Sequence, residues 1–319
     1  MTTLKYLKPA GTANFKDSGI TKVNEIFVNW DGEKSVDGLG LVGLPLSKSS
    51  ISHSGGSFSP ATIRKCFSSF TTYSIEDDQD LADYHITDFG DVEMHVTNIT
   101  DSQTRIEETL TQLFTEHPNL TPIILGGDHS ITAPSFKALT KSRNGRVGII
   151  QFDAHHDLRN LQDGGPSNGT PFRNLIDSGV LQGENLFQIG IRSFSNGKTY
   201  TSFARESGVT IYSMDDIREK GILPIVKSCL EKLKSKVDYI YISLDMDVMD
   251  QAFAPGCPAI GPDGMDTPMI KQAIQYISRQ PEVIGLDIVE IDPTLDYRDM
   301  TSRLAAYLLL TFISGYKER

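Results

Sequence analysis

The chain contains no apolar run approaching the ~20 residues that a membrane-crossing helix needs, which argues against a membrane partner. Cysteine is scarce: Cys66, Cys229 and Cys257 are the only three in 319 residues, odd in number and widely spaced. That excludes a disulfide framework and points to a reducing, cytoplasmic setting. Cys66 and Cys229 read as small core residues on helices; Cys257 falls in a loop and has no paired base that would make it a nucleophile. Positive charge is in deficit, with 30 Lys and Arg against 41 Asp and Glu, a net charge of −11. Such a field disfavours nucleic acid or an anionic membrane as partner, and an anionic small molecule would need local arginines to hold it. The opening Met1-Thr2-Thr3-Leu4-Lys5-Tyr6 lacks the apolar core of a signal peptide. No Pro/Ser/Gly-rich tract, low-complexity run or internal repeat divides the chain, so residues 1–319 are taken as one domain with a large core.

What is present is an alternation. Apolar, β-rich runs at 39–46, 122–127, 147–153, 186–191, 209–212, 239–245 and 283–291 are separated by amphipathic segments at 102–116, 131–141, 222–234 and 267–279. The stretch 301–316 reads as a closing helix. Strands without polar alternation, spaced by helices, imply an α/β protein whose parallel sheet is covered on both faces.

Acids and histidines gather where these runs end. Asp153-Ala154-His155-His156-Asp157 and Ser243-Leu244-Asp245-Met246-Asp247 carry them at alternate positions. In a strand, alternate side chains share a face, so Asp153, His155 and Asp157 are expected to converge, as are Asp245 and Asp247. His156 then points the other way, as packing or support. Several carboxylates at the rim of a buried sheet cost several kcal/mol unless cations bind there. Gly126-Gly127-Asp128-His129-Ser130 offers another imidazole, although by itself it also fits a strand-to-helix turn capped by Asp128 or Ser130. Asp250 fits a cap of the following turn, and Ala254-Pro255-Gly256-Cys257-Pro258 is rigid enough to wall a pocket. Glu290 ends another apolar run, and near a metal pair it would suit a cationic, planar N–C–N group. His129, Asp153, His155, Asp157, Asp245, Asp247 and Glu290 all sit at or just beyond the carboxyl ends of strands, the edge where open α/β sheets bind ligands. Four aspartates and two histidines suit two hard divalent ions. The pattern is that of a binuclear metallohydrolase.

Together these residues resemble the ureohydrolases. The family's GGDHS, DAHxD and SxDxD metal motifs stand here at 126–130, 153–157 and 243–247, and its V-E-[VI]-[ND]-P segment at 289–293. Gly43-Leu44-Pro45 and residues 55–64 look like its early loop and helix. The resemblance implies an arginase-like three-layer α/β/α sandwich with a mainly parallel eight-stranded sheet, a homo-oligomer, and two Mn²⁺ per subunit. It assigns one ion to His129, Asp153, Asp157 and Asp245. The other falls to Asp153, His155, Asp245 and Asp247, so that Asp153 and Asp245 bridge.

One departure narrows the substrate. Family members acting on arginine or agmatine carry a proton-transferring histidine where this chain has Asn168, and an amide does not shuttle protons at neutral pH. Arg159, two residues after Asp157, supplies a guanidinium suited to a carboxylate. The runs 157–160, 168–173, 255–262 and 292–296 look most like members that cleave N-formimidoyl-L-glutamate to L-glutamate and formamide in histidine degradation. The implied roles follow. Metal-activated hydroxide attacks the formimidoyl carbon, Glu290 orients the amidinium, and Asp157 carries a proton to the departing nitrogen. Arg159 binds one substrate carboxylate; the second has Arg192, Arg173, Arg298 and Lys48 as candidates, with Arg192 equally readable as scaffold. The alternatives are a hydrolase of agmatine or guanidino acids, a catalytically silent metal-binding relative, and a mononuclear zinc amidohydrolase.

Overall fold

The structure, a computed structural model, describes residues 17–53 and 55–319; the opening Met1-Thr2-Thr3-Leu4-Lys5-Tyr6 lies outside them. Eleven strands occur among the described residues. In chain order they are β1 (Phe27–Asn29), β2 (Gly38–Leu44), β3 (Tyr73–Ser74), β4 (Gln79–Asp80), β5 (Ile86–Asp91) and β6 (Leu120–Gly126). They continue with β7 (Val147–Phe152), β8 (Leu186–Ile191), β9 (Thr210–Ser213), β10 (Tyr239–Asp245) and β11 (Val283–Val289). Nine form one sheet in the order β1-β5-β2-β6-β11-β10-β7-β8-β9, every pairing parallel. The remaining two, β3 and β4, make a small antiparallel ladder of their own.

Every residue of β6, β7 and β8 is buried, which is why their sequences run apolar without alternation. Alternate residues of each strand enter different cores. Ile123, Leu125, Ile150 and Phe152 join a cluster with α1 (Ser59–Phe67), α7 (Ile222–Lys234), α8 (Thr267–Ser278) and α9 (Met300–Lys317). Ile124 and Ile149 face the other way, toward α2 (Ile99–Glu116), α3 (Thr132–Ser142), α4 (Pro171–Asp177) and α5 (Lys198–Glu206). The result is the three-layer α/β/α sandwich. A short α6 (Met214–Lys220) precedes α7.

All seven strands read from the sequence are present, and the sheet has nine strands where the resemblance implied eight. The two unread strands lie at one edge. β1 is three residues long and mostly exposed, while β5 carries Thr87, Asp88, Gly90 and Asp91, so neither presents an apolar run. Cys66 and Cys229 sit buried on α1 and α7 as expected, and all three thiols are free and buried. At the centre of the sheet, β6, β11, β10 and β7 are neighbours, so four loops leave its carboxyl edge side by side.

Candidate metal centre and cleft

Each acid or histidine singled out above stands at one of those four exits, but strand alternation does not bring them together. β7 ends at Phe152, so the segment 153–157 is a loop; Asp247 lies in a short 3₁₀ turn, Met246–Val248, just after β10. Side-chain turns do the work instead. Asp153 Oδ1 accepts the His155 N–H at 2.5 Å, and Asp245 Oδ1 accepts the Asp247 N–H at 2.8 Å. Asp157 adopts a left-handed backbone (φ 52°), a conformation Asp tolerates better than most residues, and this turns its carboxylate back toward the sheet.

Two donor clusters result. In the first, His129 Nδ1 lies 3.3 Å from Asp153 Oδ2, 2.8 Å from Asp157 Oδ2 and 3.0 Å from Asp245 Oδ2. In the second, His155 Nδ1 lies 2.9 Å from Asp247 Oδ2 and 3.5 Å from Asp153 Oδ1. Within each cluster all ligand atoms fall inside 4.8 Å of one another. Asp153 belongs to both, one oxygen to each. Asp245 falls in the first cluster, two residues from Asp247 in the second.

His129 tests whether these donors fit a metal. Ser243 Oγ donates to Asp287 Oδ1 (2.8 Å), while Thr132 Oγ1 and Tyr241 OH donate to Asp287 Oδ2 (2.8 and 2.9 Å). With its proton committed, Ser243 Oγ accepts from His129 Nε2 at 2.9 Å. That fixes the tautomer and leaves Nδ1 with a bare lone pair, fully buried and without a hydrogen-bond partner, facing three carboxylates. An orphaned imidazole nitrogen amid hard oxygens fits a divalent cation.

The electrostatics agree. Burial, then the charges of Asp247 and Asp153, push the Asp245 carboxyl well above the usual range; burial and Asp153 raise Asp157 to about 6. Asp247 lifts His155 to about 12 against the opposing effect of burial. For His129 burial again opposes the charged form, yet Asp153, Asp157 and Asp245 hold it well above the usual imidazole value. Bare acids in this setting recruit protons; a cation would replace them.

A cleft of ≈ 240 Å³ opens above the clusters, lined by His155, Asp157, Asp245, Asp247, Glu290, Asn168, Arg159 and Tyr200 among others. Glu290, in a left-handed conformation (φ 60°), is buried. Its Oε1 accepts from the His129 main-chain N–H (2.7 Å) and from Asn168 Nδ2 (3.2 Å). Burial and the nearby Asp128 raise its carboxyl to about 8. The Asn168 amide is oriented by the Ile51 N–H, which donates to Oδ1 at 3.1 Å. Arg159 is exposed, stands 5.8 Å from the Tyr200 ring, and has no acidic partner among the described residues.

The remaining cations stay away from the cleft. Arg192, counted above with the substrate-binding residues, is buried. Its guanidinium donates to Asp247 O (2.5 Å), Gly261 O (2.6 Å) and Pro262 O (3.3 Å), so it braces the loop that carries Asp247. Arg173 pairs with Asp177 (2.7 Å) and lies over the Phe203 ring. Lys48 donates to Val96 O, and Arg298 is exposed outside the cleft. Among the described lining residues Arg159 is thus the one Arg or Lys, accompanied by the neutral hydroxyl donors Ser52 and Ser195.

Several contributors were missed in the sequence. Asp287, Tyr241, Gln151 and Gln188 are polar residues inside otherwise apolar strands, and that interruption was the available signal. Asp128 caps the turn after β6 through the Ser130 N–H (3.0 Å) and is itself held by Ser49 Oγ (2.8 Å). Asp250 accepts from the Ala252 N–H (3.0 Å), as expected of a turn cap. His156 faces away from both clusters, toward Gln188 and Thr201. Burial pushes the Cys257 thiol well above its usual value, which makes it a poor nucleophile.

Comparison with known proteins agrees with this geometry. Residues 37–314 match the model of the arginase family. The formimidoylglutamase of Halalkalibacterium halodurans is 57% identical over 303 residues, covering 95% of this chain and 94% of that protein. The crystal structure of Bacillus subtilis formimidoylglutamase superposes with a TM-score of 0.95 at 48% identity, over 98% of this chain and 96% of the other. A Trypanosoma cruzi formiminoglutamase solved with Mn²⁺ shares the fold at 20% identity (TM-score 0.84), over 94% of this chain and 99% of that one. With the match running through every segment that builds the cleft, the chain belongs to the arginase, or ureohydrolase, family.

Proposed function

We propose that the protein hydrolyses N-formimidoyl-L-glutamate to L-glutamate and formamide, a step of histidine degradation, with two Mn²⁺ per subunit. The observation that carries this reading is one cleft in which two donor clusters share Asp153 beside the Glu290–Asn168 pair and a free Arg159. The near full-length likeness to two bacterial formimidoylglutamases supports the substrate, and the Mn²⁺ in the Trypanosoma cruzi relative supports the metal.

His129, Asp153, Asp157 and Asp245 would hold one ion, and Asp153, His155 and Asp247 the other. When bound, the ions supply a hydroxide nucleophile near neutral pH. Glu290 has one oxygen occupied by His129 N–H and Asn168, which leaves the other to pair with the amidinium and aim its carbon. The reaction adds water across that carbon and breaks its bond to the glutamate nitrogen. Asp157, at the cleft wall, carries the proton to that nitrogen. Asn168 holds Glu290 and transfers no proton. An amidinium has no guanidine resonance to break, and so needs less help. Arg159 takes one substrate carboxylate; the other meets neutral donors. The reading also includes a cytoplasmic setting, which the three free thiols support, and the homo-oligomer that the resemblance implies.

Product analysis tests the proposal. Incubation of the Mn²⁺-loaded protein with formimidoylglutamate, arginine, agmatine and guanidino acids side by side is expected to release formamide from the first only. Urea from a guanidine substrate, with no formamide, would refute it.

A further inference from the structure

The ligand loop 153–157 runs on past the end of β7, and the carbonyls of its three middle residues are each held by a side-chain amide. Asn196 Nδ2 donates to Ala154 O (2.9 Å), which also accepts from the Arg192 main-chain N–H (3.1 Å). Gln151 Nε2 donates to His155 O (3.2 Å), and Gln188 Nε2 donates to His156 O (2.8 Å). Three consecutive peptide groups are thus read by three side-chain amides.

The amides are also tied to each other. Gln151 and Gln188 are register partners on β7 and β8, both fully buried, and Gln188 Nε2 donates to Gln151 Oε1 at 2.7 Å. A main-chain carbonyl can only accept, so His156 O fixes which end of Gln188 carries the NH₂ group, and His155 O does the same for Gln151. Gln188 Oε1 must then accept from His156 Nδ1 (2.6 Å), which leaves His156 Nε2 to accept from Thr201 Oγ1 (3.0 Å). The second Gln151 N–H points to Asp153 Oδ2 (2.6 Å). That is the oxygen facing His129, whereas Oδ1 is held by the His155 N–H on the side of the second cluster. Asn196 closes the ring by accepting the His156 N–H on Oδ1 (2.8 Å). Burying two glutamines in a parallel sheet is costly unless every polar atom is bonded, and here each one is.

We infer that Gln151, Gln188 and Asn196 form an amide clamp that shapes the 153–157 loop and divides the two oxygens of Asp153 between two metal ions. They are positioning residues. Gln188 hydrogen-bonds to Gln151 and His156 and to no proposed ligand side chain, so its hydrogen bonds reach the metal through the loop and Gln151. The inference rests on the binuclear centre proposed above.

The test is Mn²⁺ titration followed by electron paramagnetic resonance, which reads both free ion and the exchange-coupled pair. Gln188→Met keeps the side chain's bulk and removes its hydrogen bonds. It is expected to weaken Mn²⁺ binding by about 10- to 100-fold and to diminish the coupled-pair signal. Thr201→Val, at the half-buried outer end of the network, is expected to weaken binding about threefold, in keeping with one neutral hydrogen bond. It decides the matter should Gln188→Met fail to fold. Ile189→Val, on the same strand but facing the opposite core, should lower thermal stability and leave metal affinity unchanged. Wild-type affinity in both Gln188→Met and Thr201→Val, or an equal loss in Ile189→Val, would overturn the clamp. A wild-type protein that binds no ion pair would instead overturn the centre itself.

Discussion

Asp153 is fully buried, yet each of its oxygens looks toward a different imidazole, and His129 and His155 hold its carboxyl below the usual range although burial opposes this. A carboxylate so placed couples two sites. Such residues were legible in the sequence because an acid ending an apolar run has few other reasons to be there. Arg192 was not, since a sequence gives no sign whether a guanidinium faces a ligand or braces backbone carbonyls. Arg159 is the counterexample: it is exposed beside Tyr200 with no acid among the described residues competing for it. A binding contact equal in ground and transition states alters KM and not kcat. Arg159→Ala is therefore expected to raise KM for formimidoylglutamate about tenfold or more with kcat within about twofold. Steady-state kinetics with unchanged KM would remove Arg159 from the binding set.

The central elements could be read because strands buried on both faces must be apolar throughout, whereas edge elements carry no such signature. β1 is too short, and β5 too polar, to announce itself. Convergence of the ligands was anticipated for the wrong reason, since tight side-chain turns at Asp153 and Asp245 replace strand alternation, and turn geometry is not periodic. Gly127 marks one such constraint: a Cβ there would come within 1.9 Å of Leu46 O, so the turn before His129 closes on glycine alone. Away from the site, α6 begins with a reciprocal cap. Ser213 Oγ accepts the Asp216 N–H (3.2 Å), and Asp216 accepts the Ser213 N–H (3.0 Å). Lys220 and these bonds lower the Asp216 carboxyl to about 2. Because the folded value lies below the unfolded one, this stabilisation is present above about pH 4 and is lost as pH falls through about 2. Asp216→Asn is expected to cost about 1 kcal/mol at neutral pH, with the difference from wild type shrinking below about pH 3, as followed by urea denaturation. A pH-independent difference would contradict the cap's charge.

For the molecule as a whole, the negative net charge and the crowded acids of the site point to the same remedy. Two divalent cations would offset part of the −11 and replace the protons that the metal-free site attracts. With residues 1–319 forming one domain, as we propose, metal bound only to the folded state stabilises all of it. Manganese at about 100 times its dissociation constant should add about 2.7 kcal/mol, seen in calorimetry as one transition moving upward. The neighbouring carboxylates raise His129 and His155, the latter to about 12, so protons compete for both rings without metal, and a ligand imidazole must be neutral. The upward shift should therefore grow from about pH 6 to about pH 8 and be accompanied by proton release. An absent shift, or one larger in acid, would contradict a ligand role for these histidines.

Anomalous diffraction at the manganese edge, from crystals grown with Mn²⁺, addresses the paired centre most directly. Two peaks about 3.5–4 Å apart, one among His129, Asp153, Asp157 and Asp245 and one among Asp153, His155 and Asp247, are predicted. A single peak, or ions lodged away from Asp153, would contradict it.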